Sequence, residues 1–111
     1  MTLLTVDHHS IPLDSDGYLQ SLDDWTPEVA QALAAAEGLD LTPDHWQIIE
    51  LLRRFHAQYQ LSPATRPLIK YVAQQLGADK GNSMHLNRLF NGTPAKLAAK
   101  LAGLPKPTNC I

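Results

Sequence analysis

The chain has 111 residues, of which 44% are hydrophobic and 18% charged, so it has the size of one domain with a modest core. Its formal net charge of −2 provides no overall positive field that would hold nucleic-acid phosphates. The one cysteine excludes an intramolecular disulfide and every metal site that needs several thiolates.

The stretch from Leu3 to Leu19 is predicted to form a β-hairpin. Apolar residues are interspersed with polar ones, and residues 15–17 (SDG) give a turn signal. A third short strand near Tyr18 would make a small meander, which must pack on the rest of the chain because a hairpin alone is marginal. His8 and His9 would point to opposite faces of a strand, so a surface turn is favoured over a metal chelate.

Five helices are predicted after the hairpin. Four candidate starts share a hydroxyl residue before proline; the hydroxyl accepts an N–H hydrogen bond, and proline loses nothing at the first helical position. These pairs are Thr26-Pro27, Thr42-Pro43, Ser62-Pro63 and Thr93-Pro94. Pro67 interrupts the third segment, so its main helix is expected to begin near Thr65, and a further helix covers Ser83 to Phe90. The predicted stops are Gly38, Gly77, Gly92 and Gly103.

These elements predict an α+β fold, in which an N-terminal β-hairpin or small meander packs on a bundle of about five helices. One domain is expected to cover residues 1–111. The helix from Pro43 to Gln60 has the clearest apolar spacing and is predicted to be the central core helix. No apolar run is long enough to span a bilayer, and the first residues lack the layout of a secretory signal, so a cytoplasmic protein is expected.

The last nine residues, 103–111, are predicted to form a flexible C-terminal arm. Pro105 and Pro107 prevent a helix and favour an extended backbone. At about 3.1 Å per residue, the eight residues after Gly103 would reach roughly 25 Å from the body, enough to enter a cleft of another protein. It is expected to add little to the core, so that trimming after Gly103 should leave the helical content unchanged.

The only cysteine, Cys110, lies next to last on this arm. Free cysteines are more often buried, whereas an accessible thiolate can attack a persulfide or a disulfide. Position alone leaves an incidental cysteine and a reactive one equally open. Lys106 favours the thiolate and the terminal carboxylate disfavours it, and the sequence does not rank the two effects.

Two other features leave alternatives open. His45 either caps and packs its helix or tunes a thiol that folds back on it. The short helices between Lys80 and Lys100 are compatible with a helix-turn-helix that binds DNA, although the net charge disfavours this function. A third class of function is that of a structural subunit in a larger redox complex, which would tolerate loss of the thiol.

Several segments resemble the TusE/DsrC family, in family order and along essentially the full chain. The clearest is the ending, residues 100–107 (KLAGLPKP) followed by Cys110-Ile111. The other matching segments are 16–19 (DGYL), 41–46 (LTPDHW), 62–64 (SPA), 80–83 (KGNS), 89–90 (LF) and 94–96 (PAK). As a combination, these segments are highly specific for the family.

The resemblance implies a sulfurtransferase in which Cys110 carries sulfur as a persulfide, with no metal or organic cofactor. The DsrC branch has a second cysteine eleven positions before the penultimate one, where this chain has Ala99. The single-cysteine TusE-like branch is therefore expected. That branch takes sulfur from a TusBCD-type complex and delivers it to an MnmA-type tRNA 2-thiouridylase for wobble-uridine 2-thiolation.

The resemblance also bears on partners and on the basic residues of the second half. It favours Arg88, Lys96 and Lys106 as contacts of the arm or of a partner, where the alternative is a solvated basic face. We expect neither stable binding to nucleic acid nor association with a membrane. A sulfur-trafficking or regulatory role of the DsrC kind remains the alternative function.

Overall fold

The structure is a computed structural model and describes residues 2–107. Cys110, the predicted carrier residue, lies outside the described residues. None of the helices within the described range is long and apolar enough to cross a membrane.

An antiparallel hairpin opens the chain, as predicted. Strand β1 (Thr2–Val6) pairs with β2 (His9–Leu13) across the two-residue turn Asp7-His8. Both turn residues have positive φ, 50° and 68°, which is the geometry of a type I′ turn, whose twist matches that of the strands. The predicted third strand is a single bridge between Leu13 and Leu19, both buried. His8 thus lies in the turn, and His9 is the first residue of β2.

Five α-helices follow the hairpin, which confirms the predicted α+β fold class. Their bounds are α1 Pro27–Ala36, α2 Pro43–Tyr59, α3 Thr65–Leu76, α4 Ser83–Leu89 and α5 Pro94–Leu101, with a 3₁₀ turn at Leu22–Asp24 before α1. Helices α1, α2 and α5 each begin at the proline of a Thr-Pro pair. Helix α3 begins at Thr65, beyond Ser62-Pro63, because Pro67 is tolerated only in a first turn.

The short helix α5 lies at the centre of the bundle. It packs against α1, α2, α3 and α4, and six of its eight residues are buried. Ala95, Ala98 and Ala99 carry little bulk, so neighbouring helices can approach closely. Helix α2, which was predicted as the central core helix, instead forms one wall of the bundle and buries residues such as Ile49 and Leu52.

The burial of α5 also bears on the helix-turn-helix alternative. A recognition helix must present side chains to the DNA major groove. The exposed side of α5 offers only Lys96 and part of Lys100. The arrangement of α4 and α5 therefore does not support DNA binding through α5.

His45 joins the start of α2 to the end of α4. Its Nδ1 accepts a hydrogen bond from the Thr42 backbone N–H at 3.0 Å, so the ring proton lies on Nε2, which donates to the Leu89 carbonyl at 2.7 Å. The ring is 5% exposed and makes an edge contact with Phe90, with centroids 5.3 Å apart. These contacts favour the packing interpretation of His45 over thiol tuning.

We expect His45→Ala to lower the free energy of unfolding by about 2–4 kcal/mol, because it removes a buried ring and leaves the Leu89 carbonyl without its donor. Urea denaturation would measure the change. The matched control is His9→Ala, at an exposed position on β2, which should change stability by less than about 0.5 kcal/mol. Equal effects of the two substitutions would contradict a structural role for His45.

Candidate functional site at the root of the C-terminal tail

The tail leaves α5 through a Schellman motif. The Gly103 N–H donates to the Lys100 carbonyl at 3.1 Å, and the Leu104 N–H donates to the Ala99 carbonyl at 2.9 Å. Gly103 has φ of 73°, a left-handed conformation that favours glycine. The helix therefore ends at the predicted glycine, and the chain turns sharply at that residue.

The first tail residues pack on the body. Leu104 is 2% exposed and belongs to the hydrophobic core, and Pro107 is also buried, whereas Pro105 and Lys106 are exposed. The expectation that the arm adds little to the core is therefore wrong for Leu104. An apolar side chain directly after the helix-ending glycine can fold back onto the helix it follows, which explains the difference. The packed root of the tail covers residues 103–107.

Two side chains from other helices and loops hold the end of α5. The Trp25 indole N–H donates to the Leu101 carbonyl at 2.8 Å, and Arg53 Nη1 donates to the Ala102 carbonyl at 2.6 Å. The Arg53 guanidinium also lies 4.0 Å from the centre of the Trp25 ring, a cation–π distance. Burial lowers the pKa of Arg53 from its usual value through desolvation, although a guanidinium stays charged.

Trp25 also restricts position 103 directly. A Cβ atom added to Gly103 would lie 2.5 Å from Trp25 Cδ1 and 2.8 Å from Cγ, well inside contact distance. The tail backbone can pass this close to the indole only because Gly103 has no side chain. Both the left-handed backbone at residue 103 and its closeness to the Trp25 ring thus require glycine.

Ser62 holds the tail two residues further on. Its Oγ–H donates to the Pro105 carbonyl at 2.6 Å, and the serine is 6% exposed. Ser62-Pro63 was one of the candidate helix starts, but α3 begins at Thr65, as Pro67 predicted, and the Ser62 hydroxyl binds the tail. We call Trp25, Arg53 and Ser62 the tail clamp.

The turn after β2 lies on another side of the tail root. Lys106 Nζ lies 3.5 Å from Asp16 Oδ2, with both side chains about half exposed, so this pair contributes little to stability. The Tyr18 hydroxyl donates to the Lys96 carbonyl at 3.0 Å, and Lys100 Nζ lies 2.9 Å from Glu37 Oε1. The contacts of Asp16 and Tyr18 join the DGYL segment to the tail and to α5, and the Lys100–Glu37 pair joins α5 to the end of α1.

A polar cleft of about 420 Å³ opens beside Lys106. It is lined by Asp16, Tyr18, Glu37, Asn91, Thr93, Lys96, Leu97, Lys100 and Lys106. Two of the three basic residues singled out in the sequence, Lys96 and Lys106, therefore meet at one cleft. Arg88 is exposed on α4 and is not among the residues that line it.

The three clamp residues were missed as functional candidates. Arg53 carried a usable signal, since it lies four residues after the buried Ile49 on the inward half of α2, where a charge is unexpected without a partner. Trp25 and Ser62 lie in connecting segments, and nothing local shows that they contact a tail 43 to 76 residues away.

Together, the fold and the tail root define a small α+β domain that anchors a C-terminal segment. This segment carries one cysteine, at the next-to-last position of the chain. Residues 5–111 match the model of the family described as DsrC like protein. The chain belongs to this DsrC-like family.

Relatives of known name cover nearly the whole chain. The chain is 46% identical over 109 residues to a Haemophilus influenzae protein named sulfurtransferase TusE homolog, with 98% of this chain and 100% of the relative covered. It is 44% identical, with the same coverage, to sulfurtransferase TusE of Salmonella choleraesuis. The NMR structure of Allochromatium vinosum DsrC superposes with a TM-score of 0.89 at 47% identity, covering 98% of this chain and 97% of that one.

Proposed function

We propose that the chain is a sulfur carrier that holds one sulfur atom on Cys110 as a persulfide. The observation that carries the proposal is the position of the only cysteine, three positions after Pro107, the last residue of a tail root that the clamp side chains hold at the end of α5. The relatives named sulfurtransferase TusE support the activity class. Ala99, at the position of the second DsrC-branch cysteine, favours single-thiol transfer.

The chemistry needs only thiol exchange. The Cys110 thiolate attacks the terminal sulfur of a donor persulfide, R–S–SH, the donor S–S bond breaks, and the donor thiolate leaves. The product, Cys110–S–SH, transfers the same sulfur to an acceptor. Electrons balance within the exchange, so neither an oxidant nor a cofactor takes part. A reducing cytoplasm, where thiols stay free, is the compartment that suits this relay.

The donor in this proposal is a TusBCD-type complex, and the acceptor is an MnmA-type tRNA 2-thiouridylase. The cleft beside the tail root presents Lys96 and Lys106 next to the emerging tail, where they can contact an acidic partner surface. Arg88 would contact such a partner from a separate exposed face. The regulatory or other sulfur-trafficking role of the DsrC kind predicts the same loading step but a different acceptor.

We expect the sulfur-loaded chain to support 2-thiouridine formation in tRNA when it is incubated with an MnmA-type thiouridylase, ATP and tRNA. Nucleoside mass spectrometry would measure the product, and unloaded protein is the control. A chain that loads sulfur but never yields 2-thiouridine would contradict the tRNA acceptor and favour the other sulfur-trafficking role.

A further inference from the structure

The end of α5 and the tail root are held at four backbone positions by side chains that are distant in sequence. Trp25 binds the Leu101 carbonyl and contacts Gly103, Arg53 binds the Ala102 carbonyl, and Ser62 binds the Pro105 carbonyl. The two Schellman hydrogen bonds add to these contacts from within the chain itself. The end of α5 is buried, with Leu101 and Ala102 both 0% exposed, so protein donors must take the place of water at its last carbonyls.

Arg53 is the most informative member of the clamp. No carboxylate forms an ion pair with it among residues 2–107, and its guanidinium is instead directed to the Ala102 carbonyl and to the Trp25 ring. Placing a charge in a desolvated position lowers stability unless it is well bonded. The guanidinium satisfies the carbonyl of the buried Ala102 and thereby holds the point at which the chain turns from α5 into the tail.

We propose that Trp25, Arg53 and Ser62 are positioning residues for sulfur transfer, a role that rests on the proposed function of Cys110. The clamp makes the tail leave the body in one direction at Pro107. Cys110 is three positions after Pro107, so the length of the chain limits the distance between their Cα atoms to about 11 Å. Releasing the clamp frees residues 105–107, since Leu104 stays packed in the core, and lengthens the free segment from three to six residues.

The effect of this release can be estimated from chain statistics. Effective concentration falls as about the −3/2 power of the length of a flexible linker, so the thiol would be roughly two- to fourfold more dilute at a partner's site. The intrinsic reactivity of the thiol does not depend on this factor. A small soluble reagent should therefore react with Cys110 at the same rate whether or not the clamp is intact.

The test uses Trp25→Phe, Arg53→Met and Ser62→Ala, with Arg54→Met as the matched control, because Arg54 is an exposed neighbour on the same helix. We expect Ser62→Ala, which frees the Pro105 carbonyl, to lose roughly two- to fourfold in kcat/KM for sulfur uptake from a persulfide-loaded protein donor. Trp25→Phe and Arg53→Met, which free the carbonyls of Leu101 and Ala102, should each show a smaller loss. Arg54→Met should keep the wild-type value, and Arg53→Lys should recover part of the loss. The rate with a small disulfide reagent should stay constant throughout.

A second readout does not depend on transfer. A fluorophore attached to Cys110, the only cysteine, should show a larger fast anisotropy decay in the clamp variants than in wild type or Arg54→Met. Unchanged kcat/KM and unchanged anisotropy would overturn the positioning role and leave the carrier function standing. An equal loss with the small reagent would also overturn it. If wild type takes up no sulfur, the proposed function is wrong. The anisotropy decay would still show whether the clamp restricts the motion of the tail.

Discussion

Cys110→Ser protein should take up no sulfur from a persulfide-loaded donor, whereas the wild type should gain the mass of one sulfur atom. The reaction requires a thiolate that attacks the terminal sulfur of the donor, and the chain contains no other cysteine that could replace it. A serine hydroxyl is not deprotonated near neutral pH and cannot form a persulfide. We therefore expect complete loss, measured by intact-protein mass spectrometry after incubation with donor and removal of unbound sulfide.

The control for this experiment is Asn109→Ser, which changes the adjacent residue and keeps the thiol. It should load sulfur as the wild type does. Circular dichroism should show the same helical content in all three proteins, because none of the substitutions falls in the packed range of residues 2–107. A serine variant that still gained sulfur would refute Cys110 as the carrier.

Truncation after Gly103 should destabilise the fold, whereas truncation after Pro107 should not. The shorter protein loses Leu104, which is 2% exposed, and the hydrogen bond from Ser62 to the Pro105 carbonyl. Burial of a leucine and one net hydrogen bond together contribute about 2–4 kcal/mol, a large part of the stability of a domain of this size. The urea midpoint, measured for both truncations and for the full chain, would show the difference.

The pair of truncations separates the two roles of the tail. Both proteins lack Cys110 and should not carry sulfur, so transfer does not distinguish them. The protein that ends at Pro107 keeps the whole packed root and serves as the stability control for the one that ends at Gly103. Equal urea midpoints would show that residues 104–107 do not contribute to the core, as the sequence alone suggested.

The order and the limits of the helices followed from local signals. Thr-Pro pairs mark the starts of α1, α2 and α5, and Gly103 marks the end of α5. These signals act within one or two helical turns, because a cap needs only its own backbone neighbours. The family resemblance likewise depends on residues that are visible without coordinates, and the family model and the relatives confirmed it.

Local signals did not predict which helix lies at the centre of the bundle. The 17-residue α2 has a clear apolar stripe, yet the eight-residue α5 occupies the centre. A periodicity shows which face of a helix is buried but not how many neighbours surround it. The small side chains of Ala95, Ala98 and Ala99 permit several close neighbours, and that property matters only once the helices are packed together.

The sequence by itself determined the thiol, its place on a C-terminal tail and the family to which the chain belongs. Only the tertiary structure decided where the tail begins and what holds it, because each clamp contact joins residues 43 to 76 positions apart. Such contacts depend on how α2, α5 and the loops before α1 and α3 pack together, and no local pattern encodes that packing. The fold thereby packs residues 103–107, which the sequence suggested as part of a free arm, against the body.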